Sequence, residues 1–140
     1  MPTHPFSIRG IDHVVLRTAD LPAMLAFYRD LLGCPVERTL EDLGLTQLRA
    51  GNSLIDLVTV DSELGRLGGG PPRQDGRNLE HLCVLLEGTD ADGLRNYLGQ
   101  AGVEVGEFQT RYGADGFGLS VYINDPQGNV VELKLAGSGA

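Results

Sequence analysis

Lysine is almost absent from this 140-residue chain. It occurs once, at Lys134, and the ten arginines are dispersed rather than clustered. Nineteen acidic residues against eleven basic ones give a formal charge of -8. Nucleic-acid affinity depends on neutralising many phosphates, so this balance argues against a nucleic-acid partner.

Several other signals are missing as well. No apolar run is long enough to span a membrane, and residues 1–6 lack the charged start and apolar core of a signal peptide, so we expect a cytoplasmic protein. Neither the GxxxxGK[ST] phosphate loop nor the GxGxxG dinucleotide fingerprint occurs. The two cysteines, Cys34 and Cys83, show no zinc-ribbon spacing and are interpreted as packing residues.

What the chain does contain is a repeat. Ile11-Asp12-His13-Val14-Val15-Leu16 is echoed by Leu79-Glu80-His81-Leu82-Cys83-Val84, and the segment around Asp56 is echoed by the one around Glu132. The histidines are 68 positions apart and the acids 76 apart. Each half therefore carries one imidazole and one carboxylate within apolar, strand-like sequence.

The predicted elements repeat in the same order. Each half is predicted to contain a strand, an amphipathic helix and three strands, with helices ending at Gly33 and Gly102. The strands of the second half are predicted at 79–86 and near 103–109, 118–124 and 130–135. We predict an α+β fold of tandem βαβββ modules in one domain over 1–140. The first module covers 8–60, a Gly/Pro-rich linker covers 61–78, and the second module covers 79–136.

The repeated polar residues point to a shared site. Asp56 and Glu132 each interrupt a Val/Ile/Leu strand, where a carboxylate is costly to bury unless it is paired, hydrogen-bonded or metal-bound. With His13 and His81 they form a plausible divalent-metal site. Two imidazoles and two carboxylates suit zinc, nickel, manganese, cobalt or ferrous iron and do not select among them.

These elements resemble a known family. The module order and the segments IDHVVLRTADLPAMLAFYRDLLG, NLEHLCVLLEG and SVYINDPQGNVVELK resemble the vicinal oxygen chelate superfamily. That superfamily includes glyoxalase I, methylmalonyl-CoA epimerase, fosfomycin-resistance transferases, extradiol dioxygenases and bleomycin-resistance proteins. The resemblance implies an open cup-shaped mixed sheet around a metal, often in a homodimer, with His13, His81 and Glu132 as ligands. Asp56 takes a position where glyoxalase-like members usually carry Glu or Gln.

The resemblance also implies functions. The first is lyase or isomerase chemistry on a small molecule, like that of lactoylglutathione lyase, through a metal-stabilised enediolate or oxyanion, with Glu132 as the first candidate base and Asp56 as the second. Alternatives are a ferrous ring-cleaving dioxygenase and a metal-free bleomycin-type binding protein. A thiol transferase for an anionic antibiotic has little cationic support. In either enzymatic case we expect substrate contacts from Arg111 and Tyr112 of a Gly-rich loop and from Tyr122.

Overall fold

The computed structural model describes residues 3–139 and contains the βαβββ unit twice. The first unit comprises β1 (His13–Thr18), α1 (Leu21–Leu25), β2 (Val36–Leu40), β3 (Leu45–Ala50) and β4 (Ser53–Thr59). The second comprises β5 (Leu82–Leu86), α2 (Ala91–Gln100), β6 (Gln109–Gly113), β7 (Gly116–Asn124) and β8 (Val130–Leu135). The predicted α+β class and tandem modules are confirmed.

Each unit forms its own four-stranded mixed sheet. The strand orders are β1-β4-β3-β2 and β5-β8-β7-β6, with β1 parallel to β4 and β5 parallel to β8. The remaining neighbours are antiparallel. Because the first and last strands of each unit are neighbours, the histidine at the start of the module and the acid near its end lie on adjacent parts of one sheet.

The helix α1 departs from regular geometry after one turn. Asp20 caps its first turn by accepting a hydrogen bond from the Ala23 amide, and Pro22 occupies the first turn, where a missing N–H does no harm. The chain then continues as a π-helical segment over Ala26–Leu31, with wider turns. In this segment the consecutive residues Phe27 and Tyr28 are both buried.

The two helices join the modules through equivalent tyrosines. The Tyr28 hydroxyl donates to Asp125 Oδ2 in the turn before β8 at 2.6 Å, and the Tyr97 hydroxyl of α2 donates to the Leu31 carbonyl at 2.6 Å. Buried side chains from both sheets and both helices form one hydrophobic cluster. The modules therefore share a core.

The strand predicted at 103–109 is wrong: the sixth strand lies at Gln109–Gly113. Val103 and Val105 pack against the core from irregular backbone, so their alternating pattern reflects burial without strand pairing. The segment from Arg111 to Gly118, expected as a loop, is mostly a paired hairpin whose tight turn lies at residues 114–115.

The segment between the modules is held by two arginines. The Arg17 guanidinium donates to the carbonyls of Gly65, Gly69 and Gly70. Arg77 donates to Asn129 Oδ1 and the Gln127 carbonyl in the turn before β8. The segment predicted as a flexible linker thus has fixed contacts at both ends. Within 3–139 no helix is both long and apolar enough to cross a membrane.

Candidate functional site

Asp56 lies on the face of the first sheet that points away from α1. Its strand neighbours Ile55 and Leu57 belong to the hydrophobic core, so strand alternation turns Asp56 to the opposite face. His13 pairs with Leu54, two positions before Asp56 on β4, and therefore shares that face. Module one thus presents an imidazole and a carboxylate on one surface.

The Asp56 carboxylate is incompletely satisfied. Gln47, directly opposite on β3, donates its side-chain amide to Asp56 Oδ2 at 3.0 Å. Asp56 is only 2% exposed, and Oδ1 has no hydrogen-bond partner among residues 3–139. A buried carboxylate oxygen without a partner is costly, so Oδ1 is available to bind a cation or to accept a proton.

Glu132 is the equivalent residue of the second module. It lies between the core residues Val131 and Leu133 and faces away from them. Its Oε1 lies 3.2 Å from His81 Nε2, and its Oε2 accepts a 2.7 Å hydrogen bond from the Ser120 hydroxyl. His81 and Glu132 are thus already in contact, as one half of the predicted site.

The surroundings of Glu132 favour its charged form. Burial by itself raises the pKa of Glu132. Hydrogen bonds from Ser120, Tyr122 and Cys83 and the proximity of His81 outweigh this effect, and hold the pKa below its ordinary value. Glu132 is therefore a carboxylate at neutral pH. Reciprocally, burial and then the Glu132 charge raise the pKa of the Cys83 thiol to about 12, so this thiol is protonated.

Both histidines are contacted by the acid that precedes them. His13 Nδ1 lies 2.6 Å from Asp12 Oδ1, and His81 Nδ1 lies 3.0 Å from Glu80 Oε1. The hydrogen bond to Asp12, followed by the Asp56 and Asp12 charges, raises the pKa of His13 against a lowering by desolvation. In each ring it is Nε2 that lies away from the preceding acid.

The four predicted ligands form two pairs, one on each sheet. His13 lies close enough to Asp56 to feel its charge, and His81 touches Glu132. Across residues 3–139, no group of three or more His, Cys, Asp or Glu side chains is arranged to hold a metal. A cleft of about 770 Å³ is nevertheless bordered by both His13 and His81.

The predicted substrate residues divide between two faces. Arg111 pairs with Gly118 and lies on the face of Glu132, where its Nε lies 3.4 Å from the Tyr122 hydroxyl. Tyr122 is directly opposite Glu132 on β7 and stacks edge-on against His81, with ring centres 5.7 Å apart. Tyr112 lies on the other face, exposed and packed against Phe117.

Lys134 accounts for two glycines of the segment that was expected to be a Gly-rich loop. Its side chain is buried and its ammonium donates to the Gly116 carbonyl. A Cβ at Gly113 would lie 3.0 Å from Lys134 Nζ, and one at Gly118 would lie 2.9 Å from its Cε. The glycines therefore make room for this side chain. The sequence did hold a signal for this arrangement, namely a single lysine in a strand and glycines spaced along the β6–β7 hairpin beside it.

Gln47 and Ser120 are two further site residues that sequence reasoning missed. Each bonds one of the predicted ligand carboxylates from a neighbouring strand. The strand pairing that places them cannot be predicted from sequence spacing. In the sequence, each is one polar strand residue among several, and nothing distinguishes it as part of a site.

Comparison with known proteins agrees with this architecture. Residues 10–133 match the Glyoxalase/Bleomycin resistance protein/Dioxygenase superfamily. The chain belongs to this superfamily. It is similar to the glyoxalase domain-containing protein RDO1 of Mycosarcoma maydis, with 32% identity over 131 residues covering 91% of this chain and 69% of RDO1.

Two further proteins are similar in sequence or structure. Virulence protein STM3117 of Salmonella typhimurium is 29% identical over 128 residues, covering 91% of this chain and 84% of that protein. Its crystal structure superposes with a TM-score of 0.72 at 25% identity, over 94% of this chain and 99% of that one. Lactoylglutathione lyase from Agrobacterium tumefaciens gives a TM-score of 0.65 at 24% identity, over 92% and 95% of the two chains, a likeness of fold alone.

Proposed function

We propose that this protein is a divalent-metal-dependent enzyme that performs lyase or isomerase chemistry on a small molecule. The observation that carries the proposal is the position of His81 between two carboxylates, 3.0 Å from Glu80 and 3.2 Å from Glu132. Two carboxylates beside one imidazole, one at each ring nitrogen, form a set of donors that suits a divalent cation. Superfamily membership supports the same conclusion.

The residues present fit such an ion. Ligands bound at about 2.0–2.2 Å to one ion lie roughly 3 Å apart, which is close to the separation of His81 Nε2 and Glu132 Oε1. The Asp56 carboxylate, which accepts from Gln47 through Oδ2, supplies a further oxygen donor beside His13. Imidazole and carboxylate donors suit zinc, nickel, manganese, cobalt or ferrous iron.

The two carboxylates differ in what they are suited to do. A bound ion supplies Lewis acidity, which stabilises an oxyanion formed by proton abstraction beside a carbonyl. The hydrogen bonds on Glu132 keep it charged and make it a weak proton acceptor, which suits a ligand better than a base. Asp56 retains an oxygen with no donor, so we propose Asp56 as the residue that holds the abstracted proton, with Glu132 as the second candidate.

Arg111 and Tyr122 are the proposed substrate contacts in the second module. Both lie on the face of Glu132, and their side chains contact each other. A guanidinium and a phenol hydroxyl orient a carboxylate, carbonyl or thioester oxygen by hydrogen bonding. Tyr112 lies on the opposite face of the hairpin. It would contact a substrate bound beside Glu132 only if that substrate extended past the edge of the hairpin.

A second copy of the chain is the proposed partner. Each module carries one imidazole–carboxylate pair. His13 begins β1 and His81 immediately precedes β5, and both strands are sheet edges. Pairing module one of one copy with module two of another supplies all four ligands. Two copies then give two equivalent sites in a closed homodimer.

Metal titration followed by a substrate panel tests this proposal. We expect zinc, nickel, manganese, cobalt or ferrous iron to raise the melting temperature, since an ion at 100 times its Kd adds about 2.7 kcal/mol of stability. His81→Ala is expected to remove most of that gain. The loaded protein is then assayed on hemithioacetals and acyl-CoA thioesters, with oxygen uptake on catechols as the dioxygenase arm.

The outcomes separate the candidate functions. Binding of metal with turnover of a hemithioacetal or thioester supports lyase or isomerase chemistry. Turnover of catechols alone replaces it with ring cleavage. Absence of uptake of any of the five metals overturns the metal-dependent reading and favours a binding protein of the bleomycin-resistance kind.

A further inference from the structure

We infer that Asp12 and Glu80 are positioning residues, which hold the two histidines with Nδ1 protonated and the Nε2 lone pair directed to the candidate metal site. Asp12 Oδ1 lies 2.6 Å from His13 Nδ1, and Glu80 Oε1 lies 3.0 Å from His81 Nδ1. The inference rests on the proposed function, because an oriented lone pair matters only if Nε2 has an ion to bind.

The same contact occurs at equivalent places in both modules. The two acids are 68 positions apart, the same offset as the two histidines. One is Asp and the other Glu, yet each reaches the Nδ1 atom of the next residue. A chance pose of an exposed side chain explains one such contact better than it explains two.

Local backbone makes this contact available. Consecutive residues within a strand point to opposite faces, so an acid and a histidine side by side do not meet there. Asp12 precedes the first residue of β1, and Glu80 and His81 both precede β5, in irregular backbone. The carboxylates can therefore turn back onto the rings.

The chemistry of imidazole gives the contact its consequence. A neutral ring carries one N–H and one lone pair, and a carboxylate at Nδ1 selects the form with the proton there. Nε2 is then the ligand atom. For His81 that atom already lies beside Glu132. Loss of such an outer partner typically weakens metal binding by about 10–100-fold.

The experiment compares removal of the acceptor with removal of its charge alone. Asp12→Ala and Glu80→Ala delete the acceptor, whereas Asp12→Asn and Glu80→Gln keep a carbonyl oxygen and lose the charge. Glu107→Ala removes an exposed acid that precedes β6 and serves as the matched charge control. Thermal unfolding of each variant checks that the fold is retained.

Two readouts are measured on each protein. Long-range ¹H–¹⁵N NMR of the metal-free protein, at a pH where the imidazoles are neutral, reports which ring nitrogen carries the proton. The third histidine, His4, follows a threonine and is the internal reference. Calorimetric titration with Zn²⁺ alone reports the Kd, with no dependence on a substrate.

We expect Nδ1-protonated His13 and His81 in the native protein, and a shift of the matching ring toward Nε2 protonation in each alanine variant. Zinc binding is expected to weaken about 10–100-fold in the alanine variants, by less in the amide variants, and not in Glu107→Ala. Rings already protonated at Nε2 in the native protein, or alanine variants with unchanged spectra, overturn the inference. If the native protein binds neither zinc nor any of the other four metals, the proposed function is overturned instead, because the NMR result is obtained without metal.

Discussion

Replacing Tyr28 by phenylalanine tests how the two modules are joined. The Tyr28 side chain is fully buried, and its hydroxyl donates to Asp125 Oδ2 at 2.6 Å. Burial, followed by the Asp125 charge, raises the pKa of Tyr28, so the hydroxyl keeps its proton throughout any practical assay. The substitution removes one donor and leaves the aromatic ring in place.

The magnitude follows from the charge of the acceptor. A hydrogen bond to a charged group contributes about 1.5–3 kcal/mol. Asp125 keeps donors from the Gln127 amide and from the amide and side chain of Asn129, so we expect a loss of about 2 kcal/mol. Unfolding entropy of about 2.1 cal/mol/K per residue gives about 0.3 kcal/mol/K for this chain, so the melting temperature should fall by about 7 °C.

Tyr97→Phe is the matched control. Tyr97 occupies the equivalent helix position, but it is half exposed and its hydroxyl donates to a neutral carbonyl. We expect a loss of about 0.5–1 kcal/mol, or about 2–3 °C. Thermal and urea unfolding of the three proteins decide the matter. If Tyr28→Phe costs no more than Tyr97→Phe, the reasoning about the buried charged acceptor is wrong.

Three further predictions concern Glu132, the hairpin glycine and the linker. Because the pKa of Glu132 is lower in the folded protein than its ordinary value, its charged form stabilises the fold at neutral pH, and this contribution is lost as the pH falls through the folded-state pKa. The free energy of unfolding of Ser120→Ala, measured in urea, should therefore be lower than that of the native protein at pH 7, and the difference should shrink toward pH 3. Gly118→Ala should be destabilising because its Cβ meets β8, whereas Gly99→Ala, in open space on α2, should stabilise by about 0.5–1 kcal/mol on thermal melting. Arg17→Met should speed tryptic cleavage of the 65–78 segment, since the guanidinium holds three of its carbonyls; unchanged cleavage would contradict that role.

The fold was largely predictable because local signals agreed with one another. The β8 bounds of Val130–Leu135 were predicted as found, since a turn with proline and glycine precedes an unbroken apolar run. Near β6 the local signals misled. Val103 and Val105 alternate like strand residues, but the backbone partners for β7 are Gln109–Gly113, which are polar and exposed. The location of β6 is set by its pairing with β7, and strand pairing is not a property of the local sequence.

The strand faces of the candidate ligands were more predictable from the sequence than their hydrogen-bond partners were. Strand alternation places Asp56 and Glu132 away from the core, and both lie there. The partners of these carboxylates, Gln47 and Ser120, come from neighbouring strands whose register the sequence does not reveal. The side of the β6–β7 hairpin on which Tyr112 lies depends on that register too, because a shift of one residue exchanges the faces.

The burial of Lys134 leaves residues 3–139 without a readily accessible side-chain amine. Lysine occurs nowhere else in the sequence, and this ammonium is enclosed beneath the β6–β7 hairpin. Amine-reactive dyes should therefore label Lys134 slowly in the folded protein and rapidly after unfolding. The labelling rate would report the opening of the β6–β7 hairpin without any substitution.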